Sequence, residues 1–431
     1  MNTCFSRILR ALIHAGAYAA MSCMLGCAKP DAGITVVTFW TIGREGEVVQ
    51  PLLRDFERAH PTIRVDLQQW PLTAAHEKLL TAFAGDALPD VGQLGNTWIP
   101  ELATLDALEP LQAYVDASTV VHSDDYFGGI WETNVIGGRL YGVPWYVDTR
   151  LLFYRTDLLA EAGFSAPPRD WAEWKRQLAA IKANAGPDKY AILLPLNEFE
   201  PLLNLAVQAP DPLLRDHDTR GNFESAGFRR AFDFYVDMFR RDWAPPMSDT
   251  QISNVWDEFA NGFYAFYITG PWNVGEFRRR LPPRLANDWA TAPLPGRDGP
   301  GAAIGGGSSL VMFHHSPHKQ AVWQLIEFLS QPQQQRRFHQ LSGDLPPRRS
   351  AWSDPALAND PYAKAFREQL ERVKPAPKVP EWERIAQEMR LATERVVRGG
   401  EPVDQALREL DARTDVILEK RRWMLARQAR P

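Results

Sequence analysis

Residues 34–67 carry the pattern that most restricts the fold. Ile34 to Trp40 is an unbroken run of β-branched and aromatic residues, the composition of a buried strand. Thr41 to Glu45 reads as a turn. Val48, Val49, Leu52, Leu53 and Phe56 then recur at helical spacing. The helix is predicted to stop at His60-Pro61, because the residue before a proline is pushed out of helical geometry. Ile63, Val65 and Leu67 alternate as a second strand does. Strand, helix and strand joined by short links form a βαβ unit, which requires a parallel pair and points to an α/β protein. Open sheets of this kind collect ligands at the loops beyond the carboxyl ends of their strands. Glu45, Asn96 and Trp98 fall in such loops.

A second stretch, Leu140 to Leu159, marks where the chain leaves one unit and enters another. Gly142 and Pro144 argue against a central, continuously paired strand in its first half. Leu151 to Tyr154 is a short apolar run typical of a buried strand. Between the halves lie Trp145, Tyr146 and Asp148, two flat faces and one charged acceptor. Junctions between domains favour small-ligand clefts.

A chain of 431 residues is long enough for more than one domain. Its net charge of −5 comes without any basic stripe, which argues against nucleic acid as a partner. The first residues read as an export signal. Arg7 and Arg10 precede an apolar stretch from about Ala11 to Leu25, too short and too interrupted for a membrane span. The stretch ends in Met24-Leu25-Gly26-Cys27, which resembles a bacterial lipobox. All three cysteines lie in or at the end of this segment. Cleavage before Cys27 would leave one thiol, at the new N-terminus, as the site of lipid attachment.

Beyond the junction a second α/β pattern follows. Asp170 and Glu173 fit a capping box. Trp171, Trp174, Leu178 and Ile181 share one helical face and read as core. Tyr190 to Leu194 and Phe263 to Ile268 read as strands, and Phe228 to Arg241 as a helix. Trp272 follows Gly270-Pro271 at a strand-to-helix turn, a poor core position and a good ligand platform. A Gly- and Pro-rich linker, Leu294 to Gly307, feeds a strand at Leu310 to Phe313. A helix is predicted from about His318 to Ser330. From Asp360 onward the pattern is nearly all helical, with runs at Pro361–Arg372, Glu381–Val397 and Pro402–Ala426.

Enzyme motifs are missing from the sequence. There is no His-Glu-x-x-His, no cysteine pair for a metal, and no Lys-Ser/Thr ending to the Gly305 run. Leu310 stands where a nucleophile elbow would need its closing glycine. No metal or cofactor is expected. A glycoside hydrolase needs only two carboxylates, and the 53 Asp and Glu leave that reading open. A surface scaffold without a small ligand is a further alternative.

Six stretches, in order, carry a resemblance: Phe39-Trp40 through Glu45; Leu88-Pro89-Asp90-Val91; Tyr141-Gly142-Val143-Pro144 through Tyr154-Arg155; Gly270-Pro271-Trp272; Gly306 to Leu310; and Leu345-Pro346-Pro347-Arg348. The chain resembles the family-1 extracellular solute-binding proteins, of maltose- and trehalose-binding type, which deliver sugars to ABC importers. The resemblance implies a two-lobe periplasmic binding protein fold, type II and cluster B-like, with parallel-rich sheets flanked by helices and a helical C-terminal segment. It implies a signal at 1–26, one lobe from 27–145 plus 304–346, and another from 146–303 plus 347–431. The crossings would lie near Tyr146, Ala303 and Pro346, and the lobes would close on ligand like a hinge. Glu45 would accept from sugar hydroxyls, Tyr146 and Asp148 would stand at the hinge, Trp272 would stack, and Arg348 would cap the sugar. Arg44 beside Glu45, Asn96, Trp98, Trp145 and Gly306 of the glycine-rich turn complete the expected set. Ser308 stands where some relatives carry a second stacking Trp. The implied partners are a di- or oligosaccharide, with maltose or trehalose favoured, and permease subunits. The implied protein is a non-enzymatic monomer, anchored in the cell envelope by the Cys27 lipid. A binding protein for a polyol phosphate is the non-sugar alternative.

Overall fold

In a computed structural model, which describes residues 33–428, the chain builds two large sheets joined by three crossings, with three two-stranded ribbons beside them. The expected export signal and Cys27 lie outside the described residues. The strands of the two sheets are β1 (Thr35–Ile42), β2 (Ile63–Trp70), β3 (Val91–Gly95), β4 (Gly142–Asp148), β5 (Leu151–Arg155), β6 (Tyr190–Leu193), β7 (Tyr264–Thr269), β8 (Trp289–Ala292) and β9 (Gly306–Met312). The first sheet has the order β2-β1-β3-β9-β4 and the second β8-β5-β7-β6.

The βαβ reading holds, since β1 pairs in parallel with both β2 and β3. The sheets are mixed, however, where parallel-rich ones were expected. Strand β9 runs antiparallel to β3 and β4, and β5 runs antiparallel to β7 and β8. The crossings explain this. Strand β9 enters its sheet from the junction, so it runs away from the edge at which β1, β3 and β4 end. Strand β5 does the same in the second sheet.

The helices follow from the apolar spacing. In the first unit, α1 (Glu45–Val48) and α2 (Gln50–Ala59) follow β1, and α3 (Leu72–Ala84) follows β2. Val37 and Phe39 point to the face that α2 covers, and Trp40 to the face that α3 covers, the alternation a strand imposes. In the second unit, α4 (Trp171–Ala185), α5 (Ala226–Arg240) and α6 (Trp272–Arg280) flank the sheet. Asp170 caps α4 by accepting from the Glu173 amide, but Glu173 accepts from Arg169 N–H, so the reciprocal half of the capping box is absent. The chain then returns to the first sheet with α7 (Lys319–Ser330) and α8 (Pro332–Ser342), and ends on the second with α9 (Pro361–Leu370), α10 (Trp382–Gly399), α11 (Val403–Ile417) and α12 (Glu419–Gln428). The run expected to be one helix from Pro402 breaks at Leu418. Helix α8, unforeseen from the sequence, places Phe338 in the core of the first unit.

The first half of the Leu140–Leu159 stretch is an edge strand and not a central one, as Gly142 and Pro144 argue, since an edge tolerates a proline. Opposite it, Ser308 pairs with Tyr146 and Ser309 with Pro144, so Trp145 is the extra residue of a β-bulge. Thr149 and Arg150 form the first crossing, Gly305 the second, and the segment from Leu345 the third. The crossings are tied together: Thr149 Oγ1 donates to the Ile304 carbonyl at 3.0 Å, and Val147 N–H to the Leu345 carbonyl at 2.8 Å.

Candidate functional site

Strand directions decide which residues meet between the sheets. Strands β1, β3 and β4 end at the junction, and β9 begins there. This brings Glu45 at the start of α1, Asp148 and Gly306 to one edge. In the second sheet, β6 and β7 end at the junction, so Glu198, Glu200 and Trp272 face that edge across the crossings.

Tyr146 lies at the centre. Its hydroxyl accepts from Ser308 Oγ at 3.0 Å and from Gln93 Nε2 at 3.2 Å. Gln93 is itself held, because its Oε1 accepts from the Ile42 N–H at 2.9 Å. Gly307 permits the close approach of β9. Its φ is +112°, and a methyl group there would sit 2.3 Å from the Tyr146 carbonyl oxygen. Burial, with the nearby charges of Glu45 and Asp344, pushes the Tyr146 hydroxyl pKa well up, so it stays a neutral donor.

Carboxylates surround this hydroxyl. Burial raises the Glu45 pKa, against hydrogen bonds from its own backbone and from Tyr146 and the charge of Arg44. Burial also raises Asp148, with Arg150 opposing and Glu200 adding to the rise. Asp344 is pushed up to about 7, by burial first and then by the charges of Glu45 and Asp148. Glu198, across the junction, also reaches about 7, by burial and by Glu200 and Asp249, against the pull of Arg150. Protonated or not, these groups are strong hydrogen-bond partners for hydroxyls.

Trp272 opens α6. Its indole is 43% exposed, unusual for a tryptophan in this protein. It folds back over Gly270, where a methyl group would lie 1.9 Å from the ring. The Arg150 guanidinium stands 4.5 Å from the ring centroid. Trp272, Arg44, and the end of α8 from His339 to Gly343 line a cavity of about 370 Å³. A larger cavity, about 520 Å³, lies beside Trp171, Gln208 and Arg230, and none of the junction residues reaches it.

Two residues expected to contact the ligand are buried within the protein. Trp145 offers no face to a ligand. It is 1% exposed, stacked on Phe338 at 4.4 Å and set against Phe39, because the bulge turns it into the core. Arg348, expected to cap the ligand, is engaged within the protein. It is 5% exposed, its Nε donates to Asp125 at 2.6 Å, and its Nη1 donates to the Ser330 carbonyl at 2.8 Å. Its guanidinium lies over Tyr126, so it pins the third crossing to the first unit.

The remaining expected residues fall between these cases. Asn96 is buried, with its Oδ1 accepting from Ser309 at 3.4 Å and its Nδ2 without a protein partner. Trp98 is half-buried against the His76 ring at 4.9 Å. Neither lines the cavity beside Trp272, and nor do Glu45, Tyr146 and Asp148, which lie deeper at the junction. Arg44 donates to the Leu341 and Ser342 carbonyls at 3.2 Å, capping the C-terminal end of α8. Gly306 pairs with Asp148 at the junction.

Arg150, Glu198, Glu200 and Asp344 were missed. Glu198 and Glu200 follow the predicted strand at Tyr190, the same carboxyl-end signal that singled out Glu45. Asp344 directly precedes the Leu345 break. Arg150 gave no signal beyond its place beside Asp148.

With this geometry in view, comparison with known proteins decides the family. The sequence signature of bacterial extracellular solute-binding proteins matches residues 41–336. The chain belongs to that family. Its members bind solutes; they are not enzymes. The sugar-binding protein MalE of Xanthomonas citri has a solved structure that is 64% identical, covers 91% of this chain and 99% of its own, and superposes with a TM-score of 0.89. The periplasmic binding protein fold is therefore shared. A lipoprotein of Streptomyces antibioticus is 27% identical over 83% of this chain and 82% of its own. The diacetylchitobiose binding protein DasA of Streptomyces coelicolor is 23% identical over 82% of this chain and 83% of its own.

Proposed function

We propose that this protein is the substrate-binding component of an ABC sugar importer, taking a di- or oligosaccharide between its two sheets, with maltose or trehalose favoured. The observation that carries the reading is the Trp272 indole, left exposed at a helix start beside a cluster of carboxylates. Sugar rings pack their C–H faces on indoles, and their hydroxyls need strong acceptors. The 64% identity to a sugar-binding protein supports it. The crowd of carboxylates disfavours a polyol phosphate, whose charge they would repel.

The two units act as lobes, one running up to Asp148 and from Gly306 to Asp344, the other from Leu151 to Ile304 and onward from Pro346; the bound expected at 145 would cut β4, which belongs whole to the first sheet. Closure about Thr149–Arg150, Gly305 and Leu345 would enclose the ligand. Tyr146, Glu45, Asp148 and Trp272 are the contacts we assign. The Cys27 lipid would hold a monomer at the membrane, near the permease subunits that take up the sugar. A thermal-shift screen over neutral saccharides tests the sugar assignment. A rise in melting temperature with a glucoside is expected. No shift with any saccharide, beside a shift with a sugar phosphate, would overturn it.

A further inference from the structure

Arg150 stands in the first crossing, and its side chain is only 17% accessible. Its Nη2 donates to Glu200 Oε1 at 3.4 Å, while Nη1 lies 3.9 Å from Asp148 Oδ1, an ion-pair distance too long for a hydrogen bond. The guanidinium also covers part of the Trp272 ring. Arg150 therefore touches a carboxylate of the first unit and a carboxylate and an indole of the second. Its Nη1 is buried and makes no hydrogen bond. Buried donors in native proteins almost always have a partner, and a charged one left without costs most. This donor faces the junction, between two carboxylates and beside the exposed indole.

We propose that Arg150 is a ligand-contacting residue which, with Asp148 and Glu200, reads a vicinal diol on the sugar ring held at Trp272. The assignment rests on the sugar reading and extends it to one donor and one class of ligand. A hydroxyl both accepts and donates. One hydroxyl oxygen of the diol accepts from Nη1, and the two hydroxyl protons go to the flanking carboxylates. A lone carboxylate or phosphate on a ligand would also suit the guanidinium. It would bring a further negative charge against Asp148 and Glu200, which selects against it. The class recognised is a neutral saccharide with an unsubstituted vicinal diol. Lysine cannot replace Arg150, because an ammonium has neither the planar fork nor the flat face that lies on the indole.

The experiment is calorimetric titration of the full chain, the Arg150→Lys variant and the Arg150→Ala variant with maltose and with trehalose, followed by monodeoxy analogues of the sugar that binds. Melting temperatures are measured alongside. Both variants are expected to bind about 10-fold or more weakly. Arg150→Lys is expected to keep the melting temperature near that of the parent, since it still neutralises Asp148 and Glu200. Removing the hydroxyl that accepts from Nη1 should weaken binding to the parent protein more than it weakens binding to Arg150→Ala, where only the carboxylate contacts remain to be lost. Parent-like affinity in Arg150→Lys and Arg150→Ala overturns this assignment alone. Binding of an anionic sugar such as glucuronic acid as tightly as a neutral one overturns the ligand class. Absence of binding to any neutral saccharide by the parent protein removes the sugar reading and this assignment with it.

Discussion

The Trp145 indole stacks on the Phe338 ring at 4.4 Å with a tilt of 29°, and Tyr146 lies against the same ring at 6.2 Å. Neighbours on a regular strand would point to opposite faces. The bulge at Trp145 breaks that alternation, so both rings reach one partner on α8. Trp145 is therefore a support beneath Tyr146. Trp145→Ala should cost roughly 3–5 kcal/mol of folding stability, as large core deletions do. Denaturant unfolding measures it. A variant as stable as the parent but weakened in sugar affinity would return Trp145 to the ligand surface.

Trp272→Ala should behave in the opposite way. Its indole is the exposed one, so little packing is lost. Sugar affinity should fall by about 10- to 100-fold, with a melting temperature close to that of the parent. Calorimetry and thermal unfolding on one sample separate the two effects.

Arg348 is expected to be structural. Arg348→Met leaves Asp125 without its cation and the Ser330 carbonyl without its donor. Breaking such a pair from one side typically costs about 3–5 kcal/mol. The folded fraction should bind sugar with parent affinity. Loss of affinity without loss of stability would make Arg348 a ligand residue.

Asp344 makes stability depend on pH. Its carboxyl is raised from the ordinary value of 3.8 to about 7, by burial and by Glu45 and Asp148, against hydrogen bonding from Ser342 and the charge of Arg44. Between those two values the folded chain holds a proton that the unfolded chain has released. Stability therefore falls as pH rises from about 4 to about 7, and levels off above. Asp344→Asn keeps the side chain neutral and should flatten that slope and raise stability at pH 8. Urea midpoints across the range test it, and a slope unchanged in the variant would assign the proton elsewhere.

Cys27→Ser should leave sugar binding intact and release the protein from membranes. Detergent-free fractionation of cells is the measurement. Retention of the variant with membranes would argue against the lipid anchor.

Local chemistry in the chain was enough for much of the architecture. The β-branched run at Ile34, the helical spacing from Val48 and the alternation from Ile63 define a βαβ unit without reference to the rest of the molecule. The Gly-Pro before Trp272 ends a strand and opens a helix, which is why that indole could be separated from Trp174, which is buried, and from Trp171, which packs half-buried against the same core. Loop position after a strand singled out Glu45, and the same rule applied at Tyr190 would have found Glu198 and Glu200. Tertiary structure decided the remainder. Whether Trp145 faces ligand or core turns on one extra residue in β4, set by its register against β9, which is more than 150 residues away. Arg348 has the charge to hold a sugar, but Asp125 and the end of α7 take it first. Asp344 and Arg150 became visible only when the crossings brought distant carboxylates together, because a pKa and an unpaired donor belong to the surroundings of a group and not to its neighbours in sequence.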